Sequence, residues 1–432
     1  MPQRLDASAA GFAGRFAAFL DAKRDTEAAA DRAAADIVQA VRAKGDEALF
    51  AYTERFDRFP VGPDTVRIRP EEMAAAFAGT PPAQREALEL AAERIRAFHE
   101  AQRPQDLDWT DAAGVRLGLR WTPLDSVGVY VPGGTAAYPS SVLMNAVPAR
   151  VAGVSRIAMA VPTPDNRLNP LVLAAAHIAG VDEAYRIGGA QAVAALAYGT
   201  DSVPAVDKIV GPGNAYVAAA KRLVFGRVGI DTIAGPSEVL IVAEDGQAPA
   251  EWLAADLLAQ AEHDTAAQSI LVSDSADLLD RVEAAVTATL ATLPRGEIAA
   301  ASWRDHGALI LVPGLAAALP LVDAIAPEHL QLVLADADGF AARVRHAGAI
   351  FLGAHTPEAV GDYVGGPNHV LPTDRSARFA SGLSLYDFLK RTTLLGCDGP
   401  ALGRIGPAAV TLAEAEGLGA HALSVALRLG RG

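Results

Sequence analysis

Arg156-Ile157-Ala158-Met159-Ala160-Val161, the helical stretch Pro170–Ala179 and Ala184-Tyr185-Arg186-Ile187 form the segment that decides the fold. A short apolar run, a helix of about three turns and a second short apolar run make a βαβ unit. Strands buried on both faces read as nearly continuous apolar runs, which is the texture of a parallel sheet. Moving outward, the alternation continues through a helix at Ala190–Tyr198, a strand at Lys208–Val210 and a helix at Asn214–Val224. Upstream, Val115–Trp121 and Ser126–Val131 read as strands, the second ending in Pro132-Gly133-Gly134.

A second α/β run starts at Glu238–Val242. It continues through Trp252–Glu262, Ser269–Val272, Leu278–Leu290, Leu309–Val312, Leu330–Leu334 and Ala349–Leu352. Ahead of both runs lie charged, Ala-rich helical stretches at Thr26–Lys44, Asp46–Phe56 and Pro81–Gln102, the first with Asp25 or Thr26 as N-cap and Gly45 as stop. Past Ser381 the alternation ceases, and a helical tail is expected from Pro407 to Leu429. The fold class is α/β, with two modules at 131–236 and 237–380.

The chain has 432 residues, too many for one compact core, so two or three domains are expected. A hydrophobic share of 51% with 20% charged residues describes a folded protein, not a disordered one. Net charge is −14 and no basic patch stands out, which argues against a nucleic-acid partner. Cys397 is the single cysteine, so no intramolecular disulfide forms and a reducing compartment fits. Residues 1–20 lack the basic start and apolar run of a signal peptide. The charge-free stretch Gly307–Val322 is too short for a membrane span and holds Pro313, Gly314 and Pro320. It reads as strand, turn and helix, and a cytoplasmic location without a membrane partner is expected.

Four polar clusters could carry chemistry. Gln260 and His263 lie three residues apart, on one face of a helix, where amide oxygen and imidazole can converge on an ion. The same His also suits a helix C-terminus through the dipole alone. Glu328-His329 stands at a strand entrance, a pairing fit for acid–base work and equally common in surface loops. Gly361-Asp362-Tyr363 through Gly366-Pro367-Asn368-His369 combines backbone that can approach a ligand with metal- or substrate-binding side chains, although a plain turn uses the same residues. Glu416 and His421 sit in a glycine-flanked C-terminal segment that looks docked, not frayed. For a dinucleotide, the usual G-x-G-x-x-G is missing. Gly188-Gly189-Ala190-Gln191 and Gly211-Pro212-Gly213-Asn214 are the nearest pieces, each after an expected strand. Cys397 has no neighbouring base or cation, and Asp398 disfavours its thiolate, so water is the expected nucleophile.

Taken in order, these pieces resemble the histidinol dehydrogenase family. The match is carried by Ile233-Ala234-Gly235-Pro236-Ser237-Glu238-Val239-Leu240, Ala254-Ala255-Asp256-Leu257-Leu258 and the Gln260/His263 helix. It continues through Pro327-Glu328-His329-Leu330, Gly361-Asp362-Tyr363, Gly366 to Pro372, Ser381-Gly382-Leu383-Ser384 and Glu416…His421, over nearly the whole chain. The resemblance implies two incomplete Rossmann-like, aldehyde-dehydrogenase-like α/β domains. One comprises 25–130 with 237–380 and bears zinc and the catalytic residues; the other, 131–236, binds NAD. An N-terminal helical arm (1–24) and a C-terminal intersubunit tail (381–432) complete the chain. The implied zinc ligands, one ion per subunit, are Gln260, His263, Asp362 and His421, the last supplied by the partner in a homodimer with shared active sites. Ser237, His369 and Glu416 would face the substrate with His329 and the ligands, and Tyr130, Gln191 and Asn214 would contact NAD. Glu328 and His329 would be the catalytic pair in a two-step oxidation of L-histidinol through L-histidinaldehyde to L-histidine. Other readings are a related zinc and NAD dehydrogenase of another polar alcohol such as a sulfonated diol, a zinc hydrolase, or a non-catalytic scaffold.

Overall fold

The computed structural model describes residues 1–21, 27–133, 138–233 and 235–430. Two six-stranded sheets carry the chain. The first has the order Arg67–Ile68, Glu183–Tyr185, Arg156–Ala160, Ser126–Tyr130, Lys208–Val210, Gly229–Ile230, parallel except for its first pair. The second runs Gln3–Asp6, Ala308–Leu311, Gln268–Ser273, Glu238–Ala243, His329–Val333, Ala349–Leu352, parallel throughout. A smaller antiparallel sheet joins Leu389–Gly396, Arg116–Pro123 and Leu107–Thr110.

The apolar runs are buried on both faces, as a helix-covered parallel sheet requires. On one face of the first sheet, Val127, Val129, Ile157 and Met159 meet Val142, Leu143, Met144 and Val147 of the helix Pro139–Ala152. On the other, Ala158 and Ala160 meet Val193 and Leu196, backed by Ile37, Val38 and Val41. In the second sheet, Val239 and Ile241 pack on Leu253, Leu257 and Val282, while Leu240 and Val242 face Phe16, Phe19, Leu321 and Val322. Each buried Val, Leu, Ile, Phe or Met side chain among these contributes about 1.5–3 kcal/mol.

Both sheets reverse their direction of growth at one point. In the first, the chain builds outward from Ser126–Tyr130 and then returns beside it at Lys208–Val210. In the second, it builds outward from Glu238–Ala243 and returns beside it at His329–Val333. Open α/β sheets bind ligands at such switch points, beyond the carboxyl ends of the strands. The first sheet turns its carboxyl ends toward the cleft, through Pro132-Gly133 and Gly211-Pro212-Gly213. The second turns its amino ends there, through Ser237 and Glu328-His329.

Several expectations are revised. Residues 25–130, which the resemblance groups with 237–380, give Arg67–Ile68 and Ser126–Tyr130 to the first sheet. The helix Glu27–Lys44 buries its Ile37/Val38/Val41 stripe in the first sheet's core. The described part of the 1–24 arm is not purely helical: Gln3–Asp6 is an edge strand, and Phe12–Asp21 packs Phe16 and Phe19 beneath the second sheet. The helix Pro139–Ala152 was not expected, nor was the strand Leu389–Gly396. The tail holds two helices, Gly399–Ala415 and Gly419–Arg428. The Asp25/Thr26 cap, Gly134 and Ala234 lie outside the described residues. Among the described residues, no helix is long and apolar enough to cross a membrane.

Candidate active site

A cleft of about 660 Å³ lies between the two sheets. The strand entrances of the second sheet deliver Ser237, Glu328 and His329 to it, and the helix Ala250–Ala261 delivers Gln260 with His263 just beyond its end. The helix Glu358–Tyr363 adds Glu358 and Asp362, and the following loop adds His369. Asn214 lines the opposite wall.

His329 is held by its own strand pairing. Its Nδ1 lies 2.9 Å from the carbonyl oxygen of Glu238, a group that only accepts, so Nδ1 carries the hydrogen and donates it. Nε2 is left with its lone pair and no hydrogen-bond partner. Burial lowers the His329 pKa to about 3, with His369 and His263 pushing the same way. Burial likewise brings His369 down to about 4, and its Nδ1 lies 3.1 Å from the carbonyl oxygen of Asp362. His263 sits at the exposed rim, yet the cleft walls withhold enough water to lower its pKa too. All three imidazoles are therefore neutral at pH 7.

The carboxyl groups are displaced in the opposite sense. Glu328 accepts the Glu238 N–H at 2.9 Å, but burial drives its pKa well above the usual carboxylate range, with Glu238 and Asp362 adding to the rise. Glu358 is 3% exposed and is pushed up strongly by burial, then by Asp362, Glu328 and Asp256. Burial lifts Asp362 to about 6. Among the described residues, the nearest opposite partners of Glu328, Glu358 and Asp362 are imidazoles, at 3.6–4.0 Å. The site is thus short of positive charge. Carboxyls this crowded stay partly protonated until a cation joins them.

Two observations mark where a cation fits. Ligand atoms of His329, Glu358 and Asp362 lie within 4.8 Å of one another. Gln260 is 1% exposed and its Oε1 has no hydrogen-bond partner, an acceptor left open inside the protein. With His263 at the same cleft, the donor set is imidazole, amide oxygen and carboxylate, a mixture that suits zinc.

Of the residues singled out by sequence, Asn214, Ser237, Gln260, His263, Glu328, His329, Asp362 and His369 line this one cleft. Tyr130 and Gln191 are not among its lining residues. Tyr130 is buried, its hydroxyl accepts the Gly189 N–H at 3.0 Å, and burial raises its pKa to about 12. Gln191 is 1% exposed. Asn214 Oδ1 caps the helix Ala215–Val224, accepting from the N–H groups of Tyr216 and Val217. Glu416 and His421 are exposed on the C-terminal tail and do not line the cleft of their own chain. Cys397 is exposed and also outside it. Glu358 went unnoticed in the sequence; the signal was its i,i+4 spacing from Asp362, which puts two carboxyls on one helical face.

A family model described as histidinol dehydrogenase matches residues 20–429. The chain belongs to the histidinol dehydrogenase family. It is 63% identical over 433 residues to a histidinol dehydrogenase of Rhodospirillum rubrum, covering all of both chains. A histidinol dehydrogenase of Bradyrhizobium diazoefficiens is 62% identical over 429 residues, 99% of each. The crystal structure of histidinol dehydrogenase from Elizabethkingia anophelis superimposes with a TM-score of 0.94 at 33% identity, over 99% of this chain and 98% of that one. The two-sheet α/β architecture is that of the family, and the chain is an oxidoreductase.

Proposed function

We propose that this chain oxidises L-histidinol in two steps, through L-histidinaldehyde to L-histidine, using zinc, two molecules of NAD and water. The observation that carries the reading is His329: a buried, neutral imidazole, its tautomer fixed by the Glu238 carbonyl, with an open Nε2 beside the buried Glu328. That arrangement is a base in place for an alcohol proton, with a carboxyl whose pKa is raised by burial as the second proton-transfer group.

Zinc fits the residues present, because the site lacks positive charge and holds the open Gln260 oxygen. Gln260, His263 and Asp362 would hold it, with His421 supplied by a second copy of the chain. When bound, the ion would anchor the amine and imidazole of the substrate and polarise its reacting oxygen. NAD would lie against Asn214, with Tyr130 and Gln191 supporting that wall, and would accept hydride. His329 Nε2 takes the hydroxyl proton in the first oxidation. Glu328 then takes a proton from water as the water adds to the aldehyde carbon, His329 returns its proton to the former aldehyde oxygen to complete the diol, and the freed His329 Nε2 takes the diol's hydroxyl proton in the second oxidation. Ser237, His369 and Glu416 would hold the polar groups of the substrate. On this reading the second-sheet unit keeps zinc and acid–base groups, the first-sheet unit keeps the dinucleotide, and the tail serves the partner in a cytoplasmic homodimer.

The test follows NADH absorbance with purified protein, zinc, NAD and L-histidinol, with two NADH expected per L-histidine formed. His329→Asn is expected to abolish nearly all turnover and leave zinc bound; unchanged NADH production by this variant would sink the assignment. Activity on a sulfonated diol and none on L-histidinol would replace the substrate reading with that of a related dehydrogenase.

A further inference from the structure

The cleft is lined by Asp231, Asp264, Glu328, Glu358 and Asp362 against three cations, Lys221, Arg222 and Arg295. Two of these are already engaged. Lys221 is paired with Asp231, both buried, and its Nζ also donates to the Gly211 carbonyl at 2.8 Å. Arg222 is paired with Asp31. Arg295 differs: its Nη2 donates to the His263 carbonyl at 3.2 Å, and among the described residues no carboxylate pairs with it. It is half-buried at the cleft edge, with most of its fork of N–H donors still available.

A dinucleotide brings a pyrophosphate, and the first-sheet wall offers it little positive charge. Lys221 and Arg222 are neutralised there, and Asn214 Oδ1 already accepts the N–H groups of Tyr216 and Val217 in the first turn of the helix Ala215–Val224. The compensating charge has to come from across the cleft. We propose that Arg295 binds the pyrophosphate of the dinucleotide, so that the cofactor is gripped by both units at once: the turn Gly211–Asn214 on one wall and the guanidinium of Arg295 on the other. This rests on the dinucleotide reading above and adds a residue to it. The carboxylate of the product is the other oxyanion in the reaction. It forms beside Glu328 and His329, inside the acidic cluster, and is assigned no contact with Arg295.

The experiment titrates zinc-loaded protein with NAD, inorganic pyrophosphate and L-histidine by calorimetry, for the natural chain, Arg295→Ala and Arg295→Lys. Arg295→Ala is expected to weaken NAD and pyrophosphate on the order of 10- to 100-fold, the size of one charge-assisted interaction. L-Histidine affinity and zinc content should stay within twofold. Arg295→Lys should recover part of the loss, since a point charge replaces a planar fork. Unchanged NAD affinity in Arg295→Ala overturns the proposal. So does an equal loss for L-histidine, which would assign the residue to the product, or loss of zinc, which would make it a prop for His263. A natural chain that binds NAD but does not oxidise L-histidinol defeats the substrate reading alone; one that binds no NAD defeats both.

Discussion

Replacing Lys221 by Met is expected to destabilise the protein by about 3–5 kcal/mol, the cost of breaking a buried ion pair by removing one partner. The side chains of Lys221 and Asp231 are 4% and 3% exposed. The ammonium also donates to the carbonyls of Gly211 and Thr232, and Asp231 Oδ2 accepts the Gly211 N–H at 2.7 Å. Without the lysine, a carboxylate stays buried with one neutral donor, and the Gly211 carbonyl loses its partner. Asp231→Asn should cost a similar amount by leaving the ammonium without its counter-charge. The double variant Lys221→Met/Asp231→Asn removes both charges and keeps an amide oxygen for the Gly211 N–H. Its cost should fall below the sum of the single costs by about 2 kcal/mol or more. Denaturant unfolding, followed by tryptophan fluorescence at fixed zinc, reads all three. A cost under about 1 kcal/mol for Lys221→Met, or single costs that simply add, would refute this account of the pair.

Three further outcomes follow. Asp362 has its pKa raised to about 6 from 3.8, so the folded form keeps a proton that the unfolded chain has already lost. The stability it permits is full below about pH 4 and is lost as pH rises through 6, by up to roughly 3 kcal/mol. In chelator-treated protein, Asp362→Asn should therefore be more stable than the natural chain at pH 8 and no more stable at pH 4; equal behaviour at both would contradict the cluster. His421→Ala should lose zinc and activity, and mixing its subunits with those of His329→Asn should restore part of the activity by forming hybrid dimers with one intact site. No recovery in confirmed hybrids would assign the tail to its own chain. Gly211 has φ +112°, and a Cβ there would stand 2.1 Å from the Tyr130 carbonyl oxygen. Gly211→Ala should cost more than about 3 kcal/mol and raise the KM for NAD; near-normal values for both would show that the turn can move.

Parallel strands were legible because Arg156–Ala160 and Glu238–Ala243 are buried on both faces and so carry an unbroken apolar signal. Elements that depend on distant partners were not. Leu389–Gly396 is mostly exposed and is a strand because it pairs with Arg116–Pro123, more than 260 residues away in sequence. The helix Pro139–Ala152 contains Pro148 and is buried nearly all round, so it shows neither an amphipathic stripe nor a clean interior. In the site, Gln260, His263, Asp362 and His369 were visible as side-chain types that bind ions. Glu358 was hidden because a glutamate after Pro357 reads as ordinary helix-start chemistry, and only burial makes it unusual. Glu416 and His421 stood out as a polar, glycine-flanked cluster, but their roles could be named by resemblance alone, since nothing in their own chain's fold draws them to the cleft.

The edge strand Gln3–Asp6 has a consequence for how the protein is made. Its register partners begin at Ala308, roughly 300 residues later in the chain. At about 5–20 residues per second, the ribosome takes on the order of 15–60 s to produce them. The first sheet has all its strands by Ile230 and can close during synthesis. The second must hold its opening strand unpaired until late in translation, so an N-terminal fusion that buries or crowds those residues should lower the yield of folded enzyme while leaving the finished site chemically intact.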